Sequence, residues 1–94
     1  MKVGTFQKQP RERFFVSINY EKILDDNDAI AAIQSVEVSP AGELEALPIL
    51  APPERVRLFL QGGVDGKAYV VTVLVQTEFG ERFEDELTCK VKEI

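Results

Sequence analysis

Hydrophobic and polar positions alternate with a period of two over much of this chain, the spacing of a strand that buries one face. Phe14, Val16, Ile18 and Tyr20 fall on one side of such a segment, and Phe15, Ser17 and Asn19 on the other. Val56 to Leu60 alternates more weakly and stops at Gly62-Gly63, where reversal of the chain needs residues that tolerate positive φ. From Ala68 to Gln76 the chain is almost continuously β-branched or aromatic. Tyr69, Val71, Val73 and Val75 share one face and Val70, Thr72 and Leu74 the other, which predicts a central strand. After a turn at Glu78-Phe79-Gly80-Glu81, strict alternation resumes from Arg82, with Phe83, Leu87, Cys89 and Val91 pointing inward. Asp85 also falls on that inward register. Because an unpaired buried carboxylate is costly, the expectation is a bulge or a place at the sheet margin.

The middle of the chain is less clearly patterned. Asp25-Asp26-Asn27-Asp28 before Ala29-Ile30-Ala31-Ala32-Ile33 could cap a short helix or close a turn ahead of a strand, and the strand is the favoured reading. Ser35 to Val38 alternates as a strand and ends at Ser39-Pro40-Ala41-Gly42. Residues 41–55 contain Pro48, Pro52 and Pro53 and read as an irregular connection with one short edge strand near Leu47 to Leu50. Segments of this kind, with turn signals at regular spacing and no long amphipathic helix, predict a small all-β antiparallel sandwich.

Composition narrows the function. A chain of 94 residues and 10.5 kDa supports one modest core and should expose about 5,400 Å². It contains no His, no Trp and one Cys, so a histidine general base, a Cys/His zinc cluster and an intrachain disulfide are excluded. The lone Cys89 reads as a small core hydrophobe. Sixteen acidic and eleven basic residues give −5, which disfavours nucleic acid as a partner. No apolar run is long enough to span a bilayer, and the leading residues lack the apolar region of a signal peptide. Manufacture in the cytosol, without a membrane partner, is therefore expected. The charge is unevenly spread: residues 1–22 hold five bases and two acids, residues 23–54 seven acids and no base, and residues 55–94 six bases and seven acids. The sharper reading of this distribution is a bipolar surface that meets partners of opposite sign.

Few motifs carry chemistry. Gly62-Gly63-Val64-Asp65-Gly66-Lys67 lacks phosphate-loop spacing and opens a strand rather than a helix. Asp25 to Asp28 lacks the glycine and terminal glutamate of a calcium loop. Glu84 and Glu86 share an outward strand face with no sign of a pocket to desolvate them. No cofactor, metal or catalytic residue is expected. Tyr69, three residues after Gly66 at the start of the most apolar strand, resembles the tyrosine corner of immunoglobulin-like sandwiches, whose hydroxyl bonds upstream backbone. Gly62, Gly63, Gly66 and Gly80 are then turn residues with a structural role.

Order and spacing along residues 6–92 resemble the small fibre-tail adaptor proteins of tailed phages and prophages. Phe6-x-Lys8-x-Pro10 leads into the aromatic strand Phe14 to Tyr20. Leu58-Phe59-Leu60-Gln61-Gly62-Gly63 is followed by Gly66-x-x-Tyr69-x-Val71 and the turn Thr77 to Arg82. The chain departs from the pattern at Gln34 to Val38, where a Trp is the commoner feature, and in the proline-rich stretch 48–53.

The resemblance implies a non-enzymatic virion protein with an immunoglobulin-like sandwich of about six to seven strands over residues 11–94, preceded by an extended arm over residues 1–10. Its partners would be other phage structural proteins, whether portal, tail or fibre, with room for a homo-oligomer or ring. A bacterial surface interaction module is the alternative. Candidate contact residues are Lys8, Arg11 and Arg13 on the basic segment and Asp25, Asp26, Asp28, Glu43 and Glu45 on the acidic one. The arm is a candidate strand donor, and the strand at 83–92 a candidate acceptor.

Overall fold

A computed structural model of the chain describes residues 2–94. It contains seven strands: β1 (Lys2–Lys8), β2 (Phe14–Asn19), β3 (Ile30–Ser39), β4 (Leu44–Ala51), β5 (Arg55–Gly62), β6 (Ala68–Thr77) and β7 (Arg82–Val91). They form a four-stranded sheet in the order β1-β7-β6-β3 and a three-stranded sheet in the order β2-β5-β4. Taking β2 to β7 as strands B to G of an immunoglobulin domain, the sheets are B-E-D and C-F-G, the immunoglobulin partition, with the first strand beside G. β6 is central, as its two apolar faces require, and β4 lies at an edge, where Pro48 costs no ladder bond.

Alternation sets which side chains fill the space between the sheets. Ile18 and Tyr20, Val56, Leu58 and Leu60, and Tyr69, Val71, Val73 and Val75 are all buried, together with Leu87, Cys89 and Val91. Val71, two residues past the corner tyrosine, is one of the fully enclosed side chains, and no disulfide is needed there. The accessible surface is 5764 Å², near the size-scaling expectation.

The fold corrects three expectations. Residues 41–55 are not an irregular connection: β4 pairs with β5 residue for residue from Leu44 opposite Gly62 to Ala51 opposite Arg55. Lys2–Lys8 is not an arm apart from the sandwich: as β1 it runs parallel to β7, from Lys2 opposite Glu86 to Lys8 opposite Val91. The strand expected to accept a donor is thus already flanked on both sides by its own chain, β1 on one and β6 on the other. Met1 lies outside the described residues. Asp85 is neither at a bulge nor at a margin. It pairs in register with Val73 and is fully buried. Tyr20, from the end of β2, reaches it. Neither the hydroxyl nor the carboxylate makes a hydrogen bond of good geometry, yet burial first and the nearby carboxylate second push the Tyr20 pKa far up.

The strand directions gather the loops at two ends of a body 43 × 19 × 19 Å. Loops 20–29, 52–54 and 78–81 share one end; loops 9–13, 40–43 and 63–67 share the other with residues 92–94.

Candidate interaction surfaces

The first end is acidic. Its loops carry Glu21, Asp25, Asp26, Asp28, Glu54, Glu78 and Glu81 against the single base Lys22. It is also laced by backbone bonds that fix the loops to one another. The Tyr20 amide donates to the Glu54 carbonyl at 2.7 Å, the Ile30 amide to Pro53 at 2.8 Å and the Glu78 amide to Ala29 at 2.9 Å. Asn27 turns the first loop with φ 65°, a conformation that asparagine tolerates better than most residues. Asp25 and Asp26 are exposed beside an open hollow of about 370 Å³ that Glu21, Leu24, Pro53 and Glu54 also line.

Asp28, however, is not a surface group. It is buried, and its Oδ1 accepts from the Ala29 amide at 2.8 Å and the Phe79 amide at 3.1 Å, tying the β2–β3 loop to the β6–β7 turn. Burial raises its pKa, but the Thr77 hydroxyl and the amides of Ala29, Phe79 and Glu78 outweigh that and hold it below the usual carboxylate value. Glu81 shifts the other way, raised first by its interaction with Asp25. The acidic end therefore holds like charges close together.

The second end is balanced: Arg11, Arg13, Lys67 and Lys92 stand against Glu12, Glu43, Asp65 and Glu93. Arg11 and Arg13 are exposed, as is Glu45 nearby on β4, whose Oε2 accepts from Gln61 Nε2 at 3.1 Å. Lys8 is corrected. Only 1% of it is exposed, and its Nζ donates to the carbonyls of Gly62 at 2.6 Å, Gln9 at 2.9 Å and Pro10 at 3.3 Å. Burial lowers its pKa, with Cys89 and Glu12 opposing.

Glu43 is likewise engaged inside the molecule. It accepts from the Tyr69 hydroxyl at 2.8 Å and from Lys67 Nζ at 3.1 Å. The Tyr69 hydroxyl in turn accepts from the Val64 amide at 2.9 Å, five residues upstream, as a tyrosine corner does. The glycines serve this end: Gly62 at φ 83° brings Glu43 O to 2.5 Å from where a Cβ would stand, and Gly63 would set one 2.7 Å from Val91 Cγ2.

A third surface escaped the sequence reading. On the outer face of β2-β5-β4, Phe15, Phe59 and Leu47 lie opposite one another across all three strands, with Ile49 two residues further along β4. Phe15, Leu47 and Ile49 are exposed at 40%, 47% and 48%. The outward register of Phe15 was visible in the alternation, but that Leu47 and Phe59 continue its row depends on strand pairing.

Cys89 is fully buried, and burial raises its thiol pKa although Lys8 opposes. Among the described residues, no group of three or more Cys, Asp and Glu side chains is arranged to hold a metal ion.

Residues 8–90 match the family of the podophage GP4 fiber-tail adaptor protein gp77. No curated protein matches the chain.

Proposed function

Because the chain belongs to the podophage fiber-tail adaptor family, a family of phage structural adaptors, we propose that it joins tail and fibre components through protein contacts alone, using its two ends for unlike partners. The acidic end, through Asp25, Asp26 and Glu81, receives a basic surface of one neighbour. The opposite end offers Arg11 and Arg13, with Glu45 beside them, to a second. The observation that carries this reading is the segregation of charge along the long axis: the loops of one end hold seven acids, Asp28 alone of them buried, against Lys22 and the flanking Arg55 and Arg82, while the loops of the other hold four of each sign. Complementary charge sets orientation and rate of encounter more than affinity, which is what an ordered connector needs.

The close approach of Asp25 and Glu81 supports the same reading, since a cationic partner would relieve their repulsion. The absence of histidine from the sequence and the enclosure of Cys89 support a role without catalysis.

Asp25→Lys with Asp26→Lys, and separately Arg11→Glu with Arg13→Glu, test the assignment by co-elution with the tail and fibre proteins encoded beside the gene. Each pair should weaken one contact and spare the other, with melting temperature unchanged. Asp28 is left alone because it holds the loops together. Wild-type co-elution of both variants with every partner would overturn the two-ended reading.

A further inference from the structure

An antiparallel sheet with one face in water is expected to present polar residues on that face. The four-stranded sheet does so, with Glu37, Thr72 and Glu86 in one row across β3, β6 and β7. The three-stranded sheet departs from this at its middle row. Its outer face carries the row Phe15–Phe59–Leu47, with the Phe15 and Phe59 rings 5.1 Å apart and the Arg57 guanidinium 4.0 Å over the Phe15 ring. A contiguous exposed apolar row of this kind marks an interaction surface.

The rows on either side say what covers it. Toward the balanced end lies Gln61–Glu45; toward the acidic end lies Ser17–Arg57–Ile49. We propose that this face pairs with the same face of a second copy of the chain, about a two-fold axis running along the row Phe15–Phe59–Leu47.

That axis lays the apolar row on its own counterpart and sets each copy's Arg57 row over the other's Glu45 row. A self-complementary two-fold interface has this property. It also reverses the long axis of one copy, so the two acidic ends lie at opposite extremes of the pair. A two-fold axis along the strands would instead set Arg57 against Arg57 and the acidic ends side by side. Packing onto the four-stranded sheet would bury Glu37 and Glu86 under apolar side chains, at a desolvation cost.

Strands of six to eight residues, three abreast, give a face of about 25 by 14 Å. This is below the roughly 800 Å² per partner of a standard interface, so the dimer is reversible. The surface meets the balanced end only at the row Gln61–Glu45, and the Leu47 and Ile49 variants below leave both ends intact, so the pairing stands or falls independently of the adaptor reading.

Sedimentation velocity over a concentration series of the full chain tests it. The wild type should pass from monomer to dimer and no further. Leu47→Glu should weaken dimerisation more than roughly tenfold, and Ile49→Lys serves the same purpose if Leu47→Glu fails to fold by circular dichroism. Arg57→Glu and Glu45→Arg should each weaken it by about fivefold, and the two together should restore it. A wild type monomeric at every concentration, a dimer indifferent to both Leu47→Glu and Ile49→Lys, or a larger closed assembly would overturn the proposal.

Discussion

Replacing Asp85 with Val and Tyr20 with Phe together is expected to stabilise the domain. Asp85 is fully enclosed, with Phe83 and Leu87 beside it on the same face of β7 and Val73 across the ladder, and the Tyr20 ring stacks on Phe83 at 6.2 Å and 18°. Neither the hydroxyl nor the carboxylate oxygens form a hydrogen bond of good geometry. An unsatisfied buried polar group costs about 1–3 kcal/mol, and apolar replacement of both members of a buried polar pair is neutral to stabilising. The double variant should therefore gain about 2 kcal/mol at neutral pH, which in a domain of this size raises Tm by about 8–16 °C. Tyr20→Phe alone removes one unsatisfied group and leaves the buried carboxylate in place, so it should gain less than the pair. Urea unfolding followed by circular dichroism measures both, with an unchanged m-value as the check that only stability moved. The reasoning is refuted if the double variant is less stable than wild type, or if Tyr20→Phe alone is as stabilising as the pair.

Three further outcomes are expected. Gly62→Ala should cost about 2–3 kcal/mol in the same urea assay, since it combines a left-handed φ of 83° with a Cβ 2.5 Å from Glu43 O; Gly66→Ala, with no atom within 4 Å, should cost less. Asp28 and Glu43 have folded pKa values below their unfolded 3.8 and 4.5, so their contribution is present above those values and lost as pH falls through the folded ones. Glu81, raised above 4.5, has the opposite sign and loses stability as pH rises through its folded value. Carboxyl NMR titration should show Asp25→Asn returning Glu81 toward 4.5 while Asp28 stays low. Lys8 has a folded pKa below 10.5, so its contribution to stability should improve as pH rises through the interval up to 10.5, and Lys8→Met should flatten that slope in alkaline melts.

How far the fold was legible depended on the element. β2, β6 and β7 carry their inward faces in plain alternation, and Tyr69 with its preceding glycines gave the corner. The choice of strand over helix from Ile30 was right, but register shifts between Ile30 and Ala32 and between Ile33 and Ser35 explain why no clean period showed there. β1 was hidden for a different reason: Gly4, Thr5 and Gln7 give little hydrophobic contrast, and its parallel partner lies about eighty residues away. Asp85 was read correctly as costly and placed wrongly, because the group that faces it comes from the end of β2.

Of the candidate contact residues, Arg11, Arg13, Asp25, Asp26 and Glu45 are exposed, whereas Lys8, Asp28 and Glu43 serve the fold. Net charge by segment could not separate these, since it counts a lysine the same whether its amine meets water or three carbonyls.

The parallel pairing of β1 with β7 has a mechanical consequence. The first and last strands run side by side in the same direction, so tension applied at Lys2 and beyond Val91 pulls them lengthwise past each other. Every bond of the ladder, with the Lys92 amide to Lys8 carbonyl bond at its end, is loaded at once in shear. A hairpin pulled from its open end yields one bond at a time. A connector strained along its length would resist as a clamp rather than open as a zip.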